Sequence, residues 1–251
     1  MGTCDMAERV ALVTGGNRGL GLAVARGLAQ GGDRVVLASR DEAAGSAAGA
    51  RLTSEGWRVS SVQLDVTDPQ SVRAAAKTVG QSFGRLDVLV NNAGILPEAT
   101  NAEPVEILDS AMFEQTYATN LLGPVRMLEA FLPLLRKSPS ARVVNVTTTM
   151  GSLADQTNPE SAYYGTVMPA YQSSKAALNN VTIALAKLLK DSHIKVTSVC
   201  PGFVQTDLTP MNRQEAPLTA EQAAEVVVQA AALPNQAESG TFVDANGRVP
   251  W

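Results

Sequence analysis

The chain has 251 residues, a formal net charge of −4, two cysteines and a single histidine. That length suits one large α/β domain with a continuous core. With no basic run and no stretch of 18 apolar residues, neither nucleic acid nor a membrane is an expected partner. Cys4 and Cys200 make no disulfide or metal framework, which points to a reducing, cytoplasmic setting. His193 alone cannot supply a Ser-His-Asp relay or a histidine metal site. Acid/base chemistry therefore has to come from Tyr, Lys or a carboxylate. The opening MGTCDMAERVALVTGG lacks a basic segment followed by an apolar signal core, so no targeting peptide is expected. Met6 stands where N-myristoylation needs Ser or Thr.

Short apolar runs at 9–15, 34–40, 59–66, 86–94, 141–148, 195–202 and 240–247 read as about seven strands, rich in Val and bounded by Gly, Asp, Asn or Pro. The first of them are apolar on both alternating faces, as buried parallel strands are. Helical patterns fall between them at 19–31, 41–56, 70–83, 110–137, 171–191 and 219–232. The alternation predicts a single Rossmann-type, doubly wound parallel sheet flanked by helices, with no linker or repeat. Longer loops near 95–109, 151–170 and 207–219 sit after strand C-terminal ends, where such sheets bind ligands.

The first strand runs into TGGNRGLG, whose glycines Gly15, Gly19 and Gly21 precede a helix. The first suits a tight turn, the second lets backbone approach a pyrophosphate, and the third lets the helix pack closely. Asn17, Arg18 and Leu20 complete the turn, and the helix start offers free N–H groups to phosphate. The second strand ends in Ser39-Arg40, where an NAD-binding chain usually carries an acid. Arg18 and Arg40 can clamp a 2′-phosphate, which favours NADP(H) over NAD, although Asp41 would oppose that phosphate if it pointed inward.

Tyr171 and Lys175 are four apart on a helix and share a face. An ammonium beside a phenol favours the phenolate, so the tyrosine is expected to titrate below its ordinary value and to exchange a proton with a carbonyl. Gly123-Pro124 shortly after Asn120 disrupts a continuous helix and frees backbone carbonyls, giving a place for water.

TGGNRGLG, NNAG (91–94), Asn120 within a helix, YQSSK (171–175) and PGFVQTD (201–207), in this order and spacing, make the chain resemble the short-chain dehydrogenase/reductase family over essentially its whole length. The ending GTFVDANGRVPW resembles its carbonyl-reductase-like members, though Trp251 also suits simple burial. The resemblance implies Tyr171 as catalytic acid/base and Lys175 as the group that binds the nicotinamide ribose and tunes the tyrosine. It implies Asn120 as holder of a proton-relaying water, Asp65 and Val66 beside adenine, and Asn91, Ala93 and Gly94 along the cofactor. Pro201, Gly202, Val204 and Thr206 would hold the nicotinamide amide.

The family places a serine three residues after the strand-five asparagine and three before a glycine. Asn145 and Gly151 put Thr148 there, a departure. Threonine keeps the hydroxyl and adds a methyl that narrows the pocket. Ser152 competes for the role if the loop folds back, and loss of activity is a third outcome. The 23 residues from Thr148 to Tyr171 exceed the family's usual gap. The extra segment is expected to wall the substrate pocket, with Tyr163, Tyr164 and Met168 either touching substrate or pinning the loop. The segment 207–219 is expected to be mobile and to close over substrate. The expected activity is NADPH-dependent reduction of a ketone or aldehyde of a small, moderately apolar molecule. An NADP(H)-binding sensor or scaffold without turnover is the alternative, and dehydration or cyclisation on the same scaffold has no residue in its favour. The apolar content of 176–189 leans toward a homo-oligomer.

Overall fold

Runs that are apolar on both alternating faces can be satisfied only in the middle layer of a fold, and the computed structural model places them there. It describes residues 8–101 and 108–251; Cys4, Met6 and the middle of the 95–109 loop lie outside the described residues. In chain order the first half contains β1 (Val10–Thr14), α1 (Gly19–Gln30), β2 (Arg34–Ser39), α2 (Glu42–Ser54), β3 (Val59–Gln63), α3 (Pro69–Phe83), β4 (Val88–Asn91), α4 (Ser110–Asn120) and α5 (Leu122–Leu135). The second contains β5 (Ala141–Val146), α6 (Leu153–Gln156), α7 (Pro169–Leu188), β6 (Ile194–Val199), α8 (Pro210–Glu215), α9 (Ala220–Ala231), β7 (Thr241–Asp244) and β8 (Gly247–Arg248). Short 3-10 turns cover Pro97–Ala99 and Thr149–Gly151.

The sheet order is β3-β2-β1-β4-β5-β6-β7-β8, parallel except for the final hairpin pair. The order reverses between β1 and β4, and that crevice is where an open α/β sheet binds ligands. β8 is the one strand beyond the seven expected. It is two residues long, exposed, and follows a turn at Ala245-Asn246, so it carries no apolar alternation to read.

Strand alternation builds a core on each face. Val10 and Leu12 of β1 pack with Val36, Leu89, Val143 and Phe131 on one side, while Ala11 and Val13 pack with Val35, Leu37, Val90 and Val144 on the other. Each such Val or Leu contributes about 1.5–3 kcal/mol by burial. Exposed positions concentrate in the two edge strands, β3 and β8. Among the described residues no helix is long and apolar enough to cross a membrane.

The helix expected over 110–137 breaks at Leu121 into α4 and α5. Pro124 has no N–H to donate to the carbonyl of Asn120, four residues earlier, so the ladder cannot continue through that point. Gly123 allows the new start to close on the connection after β3, since a Cβ there would lie 3.0 Å from Val66 Cγ2. The 207–219 segment is more ordered than its breakers suggest. It contains α8, capped by Thr209, and is tied back by the Val204–Leu218 bridge and by Asn212 Nδ2 donating to the Val204 carbonyl at 3.0 Å.

Candidate active site

A cleft of about 680 Å³ runs along the C-terminal ends of β1, β2, β4, β5 and β6. Its centre is the switch point. Thr14, at the end of β1, is buried; its hydroxyl accepts from the N–H groups of Asn92 and Ala93 at 2.9 and 3.0 Å and donates to the Val90 carbonyl. The side chain of Asn92 donates to the Thr14 carbonyl at 2.8 Å. These bonds lock the β1 and β4 ends together and set the glycine turn on a fixed base.

Gly15 and Gly19 adopt φ of 63° and 51°, a region that disfavours any side chain. Gly21 is required by closeness: a Cβ there would fall 2.2 Å from the Gly15 carbonyl oxygen and 2.6 Å from Asn92 Nδ2. Its expected role was approach of helix to sheet; what it meets is the turn itself. α1 starts after an extended Arg18 with no side-chain cap and no acid in its first turn. Its first N–H groups and positive dipole end face the cleft, the arrangement that binds phosphate. Asn17 and Leu20 line the cleft beside them, and Thr206 faces Gly19 from the opposite bank.

At the far end of this bank, Ser39 is buried and donates to the Asp41 carbonyl at 2.8 Å. Asp41 spends its carboxylate on capping α2, accepting from Ala44 N–H at 3.0 Å. Arg40 is exposed at the rim. Arg18, also largely exposed, lies 3.5 Å from Asp207, which Arg213 holds as well. The arginines depress the Asp207 carboxyl below its ordinary value, Arg213 by hydrogen bonding more than Arg18 by charge. Asp65 and Val66 line the same end, with the Asp65 carboxylate turned to the N–H and hydroxyl of Thr67 at 2.8 and 2.7 Å.

Thr148, Tyr171 and Lys175 meet at the other end of the cleft. The reason is Gly151. A Cβ there would lie 2.8 Å from Lys175 Cβ and 2.9 Å from its carbonyl carbon, so the Thr149–Gly151 turn packs directly on the backbone of α7. Thr148 caps that turn, its hydroxyl accepting from Met150 N–H at 3.2 Å, and stays on the cleft wall. Ser152 is fully buried with its hydroxyl accepting from Asp155 N–H at 3.1 Å, as cap of α6, and does not reach the cleft.

Lys175 is buried, and its ammonium donates to the Val146 carbonyl at 2.9 Å. Burial pushes its pKa down to about 8, against a smaller opposing effect of Cys200. The expected depression of the Tyr171 phenol is not found. Burial, and secondly the nearby Cys200 thiol, raise it instead. Lys175 Nζ lies 5.8 Å from the Tyr171 ring centroid and is spent on a carbonyl, so its charge does not offset desolvation of the phenolate.

One asparagine sits differently from expectation. Asn91 does not line the cleft. It is buried and donates to Asn145 Oδ1 at 2.8 Å, starting a chain in which Asn145 donates to the Thr182 hydroxyl and Ser198 reaches the same hydroxyl. Its neighbours Asn92, Ala93 and Gly94, past the end of β4, border the cleft instead. Asn120 is fully buried behind the wall, accepting from the N–H of Ile95 and donating to its carbonyl, both at 2.9 Å. A Cβ on Gly94 would lie 3.4 Å from Asn120 Oδ1 and 3.6 Å from Lys175 Nζ, so this corner brings Gly94, Asn120 and Lys175 together. Glu98 closes the start of α7 from across the cleft, accepting from the N–H groups of Ala170 and Tyr171 at 2.9 and 2.7 Å. Thr14, Asn92 and Glu98 were given no role in the sequence; Thr14 in the glycine turn and Asn92 in NNAG stood inside signals, and Glu98 did not.

Pro201, Gly202, Val204 and Thr206 follow β6 on the cleft's third side. Gly202 has φ of 82° and would collide with Leu218 if it bore a side chain. Tyr163 and Met168 line the substrate end, whereas Tyr164 is 53% exposed and points away. The segment is also pinned: Gln156 donates to the Met150 carbonyl, and Ala154 N–H to the carbonyl of Trp251, whose ring stacks on Phe242 of β7. Beyond Tyr171 and Lys175 this end presents mainly apolar and hydroxyl groups, including Leu96, Met150, Phe203 and Met211.

The family model described as short chain dehydrogenase matches residues 9–217. A (+)-neomenthol dehydrogenase of Arabidopsis thaliana is 39% identical, over 94% of this chain and 97% of that protein. Carbonyl reductase (NADPH) 1 of Sus scrofa is 34% identical, over 97% of this chain and 94% of that one. Among solved structures, NADPH-bound carbonyl reductase from chicken fatty liver superposes with a TM-score of 0.82 at 29% identity, covering 97% of this chain and 99% of that one. Salutaridine reductase from Papaver somniferum gives 0.80 at 29% identity, covering 94% and 99%. The glycine turn, the sheet order and the match across most of the chain agree: this chain belongs to the short-chain dehydrogenase family.

Proposed function

We propose that the protein is an NADP(H)-dependent reductase that converts a ketone or aldehyde on a small, moderately apolar molecule to the alcohol. One observation carries the reading: Tyr171, Thr148 and Lys175 converge on the cleft end opposite the uncapped start of α1. The residues fit a phosphorylated dinucleotide. The turn leaves N–H groups and a dipole end free, Arg18 and Arg40 supply cations at the rim, and no carboxylate takes the position that would favour an unphosphorylated ribose. The relatives named for NADPH support the same choice. When bound, the nicotinamide supplies the hydride.

The chain's own residues handle the oxygen. The raised phenol of Tyr171 is protonated at neutral pH, the form that donates to a carbonyl oxygen as negative charge develops. The Thr148 hydroxyl donates to the same oxygen. Lys175, with a value near 8, holds a proton at Nζ that it can return to the phenol side. The Asn120 carbonyl, freed by Pro124, is an acceptor for a bridging water behind it. The apolar substrate wall excludes solvent and selects against charged molecules.

Stereospecifically deuterated NADPH, offered with a panel of cyclic and open-chain ketones and aldehydes, tests the proposal. Deuterium should appear on the carbinol carbon of at least one product. Tight NADPH binding without transfer to any carbonyl would leave the sensor or scaffold reading in its place.

A further inference from the structure

We infer that Glu98 is a positioning residue for Tyr171, holding the phenol-bearing turn of α7 from the substrate wall; the inference rests on Tyr171 as the acid/base. The argument starts from the donors at the helix start. An α-helix leaves its first N–H groups without partners. In α7 the N-cap is Met168, which has no side-chain acceptor and makes no cap hydrogen bond. Pro169 has no N–H. Gln172 N–H reaches the Met168 carbonyl at 2.8 Å, and the Gln172 side chain turns back to accept from Met168 N–H at 3.0 Å. The two donors left are those of Ala170 and Tyr171, and Glu98 takes both, one with each carboxylate oxygen. Its partners are 72 and 73 residues away in sequence, so the helix start is set by a contact that nothing local replaces.

The segment that supplies Glu98 is itself held. Asn120 clamps both backbone groups of Ile95, and the Pro97–Ala99 turn carries Glu98 beneath Leu96 and Ala99, which line the cleft. Residues 95–99 therefore join α4, the substrate wall and α7 in one rigid strut. Movement of this wall is passed to the backbone N–H of Tyr171 directly, and the phenol moves with it. Glu98 does not touch the reacting atoms; it fixes where the phenol stands.

Glu98→Ala and Glu98→Gln separate this role from a purely structural one. In Glu98→Ala, hydrogen exchange should show loss of amide protection in the first turn of α7 with the rest of that helix unchanged. The kcat for carbonyl reduction should fall about tenfold, on the scale expected when a reacting group is slightly misplaced, and the NADPH dissociation constant should stay within twofold. Glu98→Gln keeps one acceptor oxygen and should recover part of both the protection and the kcat. Tyr171→Phe serves as the reference. If it abolishes turnover while Glu98→Ala loses protection at full kcat, the positioning role is overturned. Unchanged protection in Glu98→Ala overturns it as well. If Tyr171→Phe keeps full turnover, the acid/base assignment fails, and the exchange result still stands as a measurement of the cap alone.

Discussion

Two of the helices that begin at the cleft have starts treated in opposite ways. α1 follows an extended Arg18 with no cap and no acid in its first turn, while α7 has both of its remaining donors filled by a carboxylate brought from another segment. Apart from α5, which continues directly from α4, the other helices are capped by side chains, among them Asp41, Asp68, Asp109 and Thr219 at α2, α3, α4 and α9. The difference teaches how to separate a binding end from a positioning end. Donors left open on rigid backbone await a ligand, and donors closed from a distance hold a geometry.

The closed end should give the largest effect. Tyr171→Phe removes the phenolic proton that α7 offers to the substrate oxygen, and carbonyl reduction should fall by roughly 10²–10⁴-fold with NADPH affinity kept. Steady-state rates beside a fluorescence titration of cofactor would show the split. Thr148→Ala removes the second donor to the same oxygen and should cost on the order of 10²-fold in kcat, whereas Thr148→Ser should match or exceed the parent. Full activity in Thr148→Ala would leave Tyr171 acting alone, since Ser152 is buried away from the cleft.

The open end can be broken by closing it. Arg18 already has the extended conformation of an N-cap, so Arg18→Asp would place a carboxylate on the free N–H groups of α1. NADPH affinity should drop by roughly 10–100-fold, while the melting temperature of the cofactor-free protein should not fall. A capped α1 that binds NADPH as before would end the distinction between the two starts.

The smallest effect is one of pH. Lys175 titrates near 8 in the folded protein against 10.5 for an ordinary lysine. Between those values the unfolded chain holds the extra proton, so stability rises with pH across that window; below pH 8 the full cost of the buried ammonium is felt. The Tyr171 phenol, raised above its usual 10, reverses the trend at the alkaline edge, because there the unfolded chain ionises first. Cofactor-free protein should therefore gain about 2 kcal/mol from pH 8 to 10, seen by denaturant melts, and Lys175→Met should flatten that rise.

Strand-helix alternation, the glycine turn and the pairing of Tyr171 with Lys175 were legible because each rests on short spacing: a period of two, a turn before a helix, and one helical turn of separation. Asn91 was placed along the cofactor from its motif, whereas as the last residue of β4 it turns its side chain to Asn145 of the neighbouring strand. The titration of Tyr171 was misjudged because proximity to a lysine is visible in sequence and desolvation is not. Glu98 and the Arg18–Asp207 pair left no trace, since their partners lie 72 and 189 residues away. Thr148 lay between. Its candidacy came from counting between Asn145 and Gly151, but the preference over Ser152 depends on where the Gly151 backbone touches α7.

The stacking of Trp251 on Phe242, with its carbonyl receiving the Ala154 N–H, ties an indole to the segment between Thr148 and Tyr171. The chain has only two tryptophans, and Trp57 stands just before β3, beyond the opposite bank of the sheet. With Trp57 replaced by phenylalanine, the protein would carry its own optical gauge, whose emission follows the substrate wall and needs neither turnover nor an added dye.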